Sequence, residues 1–286
     1  MDTKFLLFHI MPAMDSKINF SDRLFKLNMW HWGVPVFSLS AMCALYISGE
    51  NIVIFTHMNA GMMLFGDSFW SHITILGDSM IVILFILPLV HRRPELVWQF
   101  VLTAIIAGVT VYLLKDPDVL RPPAMLEPGS FHVIGPALRH VSFPSGHTTT
   151  AFLVAGLFCM QQIPSWLKSL VLLLAVSAGL SRIACGVHWP MDVLGGMLCG
   201  WLAAGAGIWL GKRWRVGLNI WFQRFITLLL TLVAIWSSLK YDNGYTGTVQ
   251  MQLMITAICL ALSVPGQFKL FRKSACDRHV IKSEDQ

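Results

Sequence analysis

Residues 142–160, SFPSGHTTTAFLVAGLFCM, join two kinds of chain. From Ala151 onward the stretch is apolar enough for the interior of a membrane. Ahead of it stand serines, a glycine, a histidine and three threonines. A helix crossing a bilayer needs none of these groups for stability. Two questions follow: whether the chain is a membrane bundle, and why one of its helices opens on a polar site.

Composition answers the first. Of 286 residues, 55% are hydrophobic and 13% are charged, and the mean hydropathy is +0.63. A soluble domain carries roughly 25% charged residues. Several apolar stretches approach the roughly 20 residues that cross a bilayer. With no water there to satisfy the backbone, such stretches are helices. The expected fold class is therefore all-α, a polytopic transmembrane helix bundle.

Eight spans are expected, at about 30–47, 71–90, 98–114, 147–161, 169–185, 191–211, 225–239 and 251–265, the fourth and seventh being short. Residues 51–70 are apolar too, but Asn59, Gly61, Gly66 and Asp67 suit a surface-lying or re-entrant helix better than a span. The N-terminal MDTKFLLFHIMPAMDSK has a short apolar patch broken by His9 and Pro12 and reads as an interfacial segment rather than a signal peptide.

Placement of charge sets the expected orientation. With the N-terminus inside, 16 of the 21 Lys and Arg fall in inner segments, and Lys115, Arg121, Arg139, Arg182 and Lys240 fall outside. Such asymmetry implies an even number of spans with both ends cytoplasmic. It also accounts for the net charge of +6 without nucleic acid as a partner. The six cysteines occur singly, with no CxxC pair, so neither a zinc site nor a disulfide framework is expected.

Three polar clusters fall on the outer side. Lys115 and Arg121-Pro122 follow the third span, Pro144-Ser145-Gly146-His147 opens the fourth, and Ser181-Arg182, His188 and Asp192 join the fifth to the sixth. Lysine and arginine donate to phosphate oxygens, arginine in forked geometry. Ser145 is a good N-cap, and a helix N-terminus with a glycine allowing close approach attracts anions. The polar start of the fourth span thus reads as half of a phosphate cradle. Asp192, four residues after His188, can fix one ring nitrogen and leave the other as nucleophile or base. His147 remains as the candidate acid for the leaving group. A serine cap or a lone interfacial histidine is ordinarily structural. Three ionisable clusters meeting at a membrane boundary, where charge is expensive, are better explained by one anionic ligand.

The same residues carry a resemblance. Lys115-x5-Arg121-Pro122, Pro144-Ser145-Gly146-His147 and Ser181-Arg182-x5-His188-x3-Asp192 resemble the three signature motifs of the type 2 phosphatidic acid phosphatase superfamily, over about 115–192. The second and third fit at full spacing, whereas the first is one residue shorter than the family's usual six. The resemblance implies a six-helix catalytic core, about 30–211, within a single membrane domain over 1–286. The spans at about 225–265 are additional to it. It also implies a metal-independent phosphatase without cofactor that works through a phosphohistidine. In that chemistry His188 is the nucleophile, Asp192 its orienting partner and His147 the proton donor. Lys115, Arg121, Ser145, Gly146 and Arg182 hold the phosphoryl group.

The expected partners are membrane lipids and a lipid phosphate substrate, with undecaprenyl diphosphate favoured. Phosphatidylglycerol phosphate, phosphatidate and lipid A are alternatives. The expected location is a bacterial inner (plasma) membrane with the site facing the periplasm or exterior. A lipid-to-lipid phosphotransferase shares the first half of the chemistry. A non-catalytic transporter would be favoured by loss of His188 or Asp192, and both are present. Outside the motifs, Gly196-x3-Gly200 and Gly207-x3-Gly211 read as close-packing surfaces. Asp78, inside the second span, needs a partner, either an active-site cation or a buried water. His132 and His140 read as ordinary loop residues.

Overall fold

The computed structural model describes residues 29–284, apart from the side chains of residue 269 and of residues after 270. The N-terminal interfacial segment and its four cations lie outside the described residues. All of the regular secondary structure among them is helical, with no strand. The helices are α1 (Met29–Ser48), α2 (Asn51–Met62), α3 (Asp67–Thr74), α4 (Ser79–Ile86), α5 (Pro94–Leu114), α6 (Gly146–Cys159), α7 (Ser165–Ala184), α8 (Pro190–Arg213), α9 (Ile220–Lys240) and α10 (Val249–Glu284). Several starts follow from local chemistry. Pro94 and Pro190 occupy first-turn positions where a missing N–H costs nothing. Asn219 caps α9 by accepting from the Trp221 N–H at 2.8 Å.

Five helices, α5, α7, α8, α9 and the Val249–Phe268 part of α10, are long and apolar enough to cross a membrane alone. Two bent pairs raise the number to seven. In the first, α1 and the segment 51–65 meet at 113°, so α2 turns away from the axis of α1, in keeping with the polar residues of 51–70. In the second, the segments 67–77 and 79–89 meet at 58°, with the break at Asp78. The fourth expected span is helical but covers only 14 residues, Gly146–Cys159. At 1.5 Å per residue that is about 21 Å, short of a hydrocarbon core of roughly 30 Å.

The hub is α8, which packs against α6, α5 and α1. Its glycines make the approach possible. A Cβ on Gly200 would lie 2.3 Å from the Thr149 carbonyl oxygen, and one on Gly207 would lie 2.1 Å from Thr103 Oγ1. One small-residue pair therefore seats α6 and the other seats α5, the packing device expected where lipid removes any hydrophobic drive between helices. Trp201, fully buried, donates from Nε1 to the His31 carbonyl and ties α8 to α1. The C-terminal pair α9 and α10 packs on the bent second span. Ile75, Ile81, Leu84 and Leu87 form one cluster with Ala234, Ile255 and Cys259.

This arrangement brings the C-termini of α5, α7 and α9 to the same end as the N-termini of α6, α8 and α10. The break at Asp78 sits there too.

Candidate active site

The long connection from 115 to 143 is the frame of this end, and hydrogen bonds fix it. Arg121 N–H donates to the Arg139 carbonyl at 2.9 Å, Ser142 N–H to Val119 at 2.9 Å, and Ile134 N–H to Cys185 at 3.1 Å. Asn59 on α2 clamps it from the other side. Its amide donates to the carbonyls of His132, Ile183 and Ala184, and its Oδ1 accepts the His132 N–H. His132 also pairs with Asp67 at 2.8 Å on the surface. Val141 adopts φ 59, a left-handed conformation rare for a β-branched residue. Its carbonyl accepts from both Lys115 Nζ, at 3.0 Å, and Arg121 Nη2, at 3.1 Å.

Arg121 is buried and most of its donors are engaged. Nε donates to the His140 carbonyl at 2.7 Å, and Nη1 donates to Val187 at 3.1 Å and to His188 Nε2 at 2.9 Å. A guanidinium has no acceptor, so the atom of His188 that it touches carries the lone pair. The proton therefore sits on Nδ1, which donates to Asp192 Oδ2 at 3.1 Å. The neutral imidazole is held in the tautomer that leaves Nε2 nucleophilic. Burial, with Arg121, Arg182 and Lys115 nearby, pushes the His188 pKa well below 6.5, so the ring stays neutral in ordinary buffers.

Asp192 is fixed in turn. The same Oδ2 accepts from Ser142 Oγ at 2.5 Å and from the Trp189 N–H at 2.9 Å, the latter a backbone donor at the start of α8. Its backbone carbonyl takes the Ser145 N–H at 3.0 Å, joining the starts of α6 and α8. Ser145 caps α6 and is fully buried. Its Oγ accepts from Thr148 Oγ1 at 2.9 Å and Thr148 N–H at 3.4 Å. Gly146 has open space in front of it, with nothing within 4 Å of a Cβ built there.

Lys115 joins this group despite the short spacing of its motif, since it shares the Val141 carbonyl with Arg121. Burial and Arg121 push its ammonium down from 10.5 to about 8. Burial and Arg182 push Arg121 down to about 10. Arg182, near the end of α7, is buried. Its Nη1 donates to Thr74 Oγ1 at 2.5 Å and to the Tyr245 hydroxyl at 2.7 Å. Its Nε–H is buried and has no partner among the described residues.

His147, in the first turn of α6, has its side chain 30% exposed, and its Nε2 lies 4.0 Å from Asp78 Oδ2. It is within electrostatic reach of Arg182, His188, Arg121 and Lys115. Asp78 caps α4 through the N–H groups of Met80 and Ile81, and its Oδ2 accepts the Tyr241 hydroxyl at 2.6 Å. Asp78 thus has a tyrosine and two backbone donors as hydrogen-bond partners and faces the candidate acid His147.

All eight residues singled out in the sequence gather at this one end. Ser142, Asn59, Thr74, Tyr241 and Tyr245 join them unannounced. Ser142 lies three residues from Ser145 and carries no spacing signal of its own. The tyrosines lie beyond any motif, and only the tertiary fold brings them in.

Known proteins are similar to the part of the chain that holds these residues. Residues 96–216 match the PAP2 superfamily. The candidate undecaprenyl-diphosphatase YbjG of Escherichia coli K12 is 39% identical over 87 residues, 29% of this chain and 43% of that protein. An undecaprenyl-diphosphatase of Sulfolobus acidocaldarius is 32% identical over 109 residues, 38% of this chain and 50% of the relative. The chain thus spans half or less of these curated relatives. The crystal structure of Aquifex aeolicus LpxE superposes with a TM-score of 0.50 at 29% identity, covering 55% of this chain and 94% of that one. Residues 96–216, which carry all three polar motifs, are thus similar to the PAP2 superfamily.

Proposed function

We propose that this protein is an integral membrane lipid phosphatase that transfers a phosphoryl group to His188 and then to water. One observation weighs most: His188 Nε2 carries its lone pair inside a group of three cations, with Nδ1–H held by Asp192. Nε2 attacks phosphorus, the bond to the leaving oxygen breaks, and His147 gives that oxygen a proton. The positive charge arising on the imidazole is stabilised by Asp192. In the second half, water attacks the phosphohistidine, gives its proton to His147 and returns the lone pair to Nε2, releasing inorganic phosphate. Lys115, Arg121 and Arg182, with Ser145 and Gly146 at the start of α6, stabilise the equatorial oxygens, usually a large catalytic contribution. For Arg121 this requires exchange: the ligand takes over the N–H now given to His188. Arg182 already has an unpartnered buried Nε–H.

A lipid substrate is supported by a cavity of about 560 Å³ between α1, α2, α7 and α8. Its walls include Phe37, Met58, Leu180, Pro190 and Val193, and almost no polar surface. Pro190 and Val193 flank Asp192, and Pro190 stands two residues from His188. An acyl or prenyl chain in this cavity would leave its phosphate at the clamp, with each buried methylene contributing about 0.8 kcal/mol. The names of the two curated relatives favour a polyprenyl diphosphate. The skew of Lys and Arg favours a site at the outer face of a bacterial inner membrane.

The test uses purified protein in detergent with undecaprenyl diphosphate, phosphatidylglycerol phosphate, phosphatidate and a phosphorylated glycolipid. Rapid quench with labelled substrate should trap an acid-labile phosphoenzyme in the parent and none in His188→Ala. Substantial turnover by a folded His188→Ala protein would remove the nucleophile assignment. Equal efficiency on glucose 6-phosphate would remove the lipid assignment alone.

A further inference from the structure

The turn between α9 and α10 lies outside the matched residues 96–216, yet it touches Arg182 of the candidate site and Asp78, which faces His147. A connection between two spans needs only to be soluble and short. This one is built. Asn243 Oδ1 accepts from the Tyr245 N–H at 2.9 Å and from Thr248 Oγ1 at 2.9 Å, and the Asn243 amide donates to Gln252 Oε1 at 3.1 Å. Gln252, buried in the first turn of α10, donates back to the carbonyls of Ser237 and Tyr241. The ring of Tyr245 lies against Gly135 of the long connection, where a Cβ would come within 2.7 Å of Cε1.

We infer that the 241–248 turn is a positioning element of the active site, with Tyr245 aiming Arg182 and Tyr241 holding the carboxylate that faces His147. Tyr245 and Thr74 occupy both hydrogens of Arg182 Nη1. The guanidinium plane is thereby set, and its Nε–Nη2 edge is left for a phosphoryl group in the forked geometry arginine favours. Tyr241 donates to the very oxygen, Asp78 Oδ2, that stands 4.0 Å from His147 Nε2. Its hydroxyl competes with His147 for that oxygen and so limits how strongly the carboxylate holds the imidazole's proton. The charged and titratable groups facing His147 are Asp78 from the bent span, Arg182 from α7, His188 before α8, and Lys115 and Arg121 after α5. Tyr241 touches only the first of them. Neither tyrosine contacts the phosphoryl group in this scheme, so both are positioning residues.

The inference rests on the phosphatase reading, and its test separates the two. Tyr241→Phe and Tyr245→Phe keep the rings and their packing while removing one hydroxyl each. They should be prepared as full-length protein in detergent beside the parent and His188→Ala. Orthovanadate binding by calorimetry gives a readout that does not need turnover. Tyr245→Phe should weaken vanadate binding and raise KM roughly tenfold, with a smaller change in kcat, because Arg182 loses its orientation. Tyr241→Phe should leave vanadate binding near that of the parent and move the alkaline limb of the kcat–pH profile upward, because the freed Asp78 holds the acid proton longer. Melting temperatures close to the parent's would show that neither effect comes from misfolding. Parent-like KM, vanadate affinity and pH profile in both variants, beside His188-dependent turnover, would overturn this inference and leave the phosphatase reading intact. A parent that neither turns over any of the four lipids nor binds vanadate would overturn both.

Discussion

The Nη1 of Arg121 lies 2.9 Å from Nε2 of His188, so the candidate nucleophile is capped by one of the residues that would hold its substrate. Arg121 also bridges the carbonyls of His140, Val141 and Val187. One side chain therefore ties the long connection to the segment that carries His188. A lysine keeps the charge but has a single ammonium that cannot span these partners. Arg121→Lys is expected to lower kcat/KM by roughly 100-fold or more, the scale of losing one fixed donor to a developing charge. Loss below threefold would show that charge alone matters there.

Asp192 offers one oxygen to three donors, and removing each partner should have a graded effect. Asp192→Asn should lower kcat on the order of 10³- to 10⁴-fold, because an amide favours the wrong imidazole tautomer. Ser142→Ala removes only one support and should cost roughly tenfold, with KM little changed. A Ser142→Ala enzyme slower than Asp192→Asn would contradict this order.

Burial and Arg121 lower the ammonium of Lys115 to about 8, and the sign of the consequence is definite. Below that pH the clamp has its third positive charge, and above it Lys115 is neutral. The kcat/KM profile of the free enzyme should fall as pH rises through about 8. Lys115→Arg should carry this limb to higher pH. An unchanged limb in the variant would assign it to another group.

Positive charge at this end comes from side chains, and among the described residues no three His, Cys, Asp or Glu gather as a metal site. Turnover is expected to survive exhaustive chelation and to be inhibited by vanadate. Activity abolished by EDTA and restored only by a divalent ion would show that the cationic clamp is incomplete by itself.

The 16-to-5 split of Lys and Arg in the sequence predicts an orientation that labelling can test. On a cysteine-free background, Ser130→Cys in the long connection should react with an impermeant maleimide from outside intact spheroplasts. Arg215→Cys should react only after the membrane is opened. The reverse labelling would put the catalytic end in the cytoplasm.

What could be read in advance divides along physical lines. Helices and the polar motifs were legible because hydropathy and short-range spacing determine them. His188 and Asp192, four apart at a helix start, announce their own contact. The bend at Asp78 was not legible, because a capped aspartate within an apolar stretch looks like a buried charge in one span. The partners Ser142, Thr74, Tyr241 and Tyr245 were hidden for another reason. They are polar residues of common types, and Tyr241 reaches Asp78 across 163 residues of chain. Asn59 was noticed as a sign against a span, whereas its role is to clamp three carbonyls.

The separation between Arg182 and Tyr245 also has a direction in time. Synthesis runs from N- to C-terminus, and the two are 63 residues apart. At roughly 5–20 residues per second, the ribosome finishes Arg182 on the order of 3–13 seconds before Tyr245. Once Asp192 is added the nascent protein contains every motif residue, and until Tyr245 follows the guanidinium of Arg182 has only Thr74 to hold it. A chain arrested after Arg213 would thus carry nearly all of the recognised domain, inserted in the bilayer, with its phosphate fork unaimed.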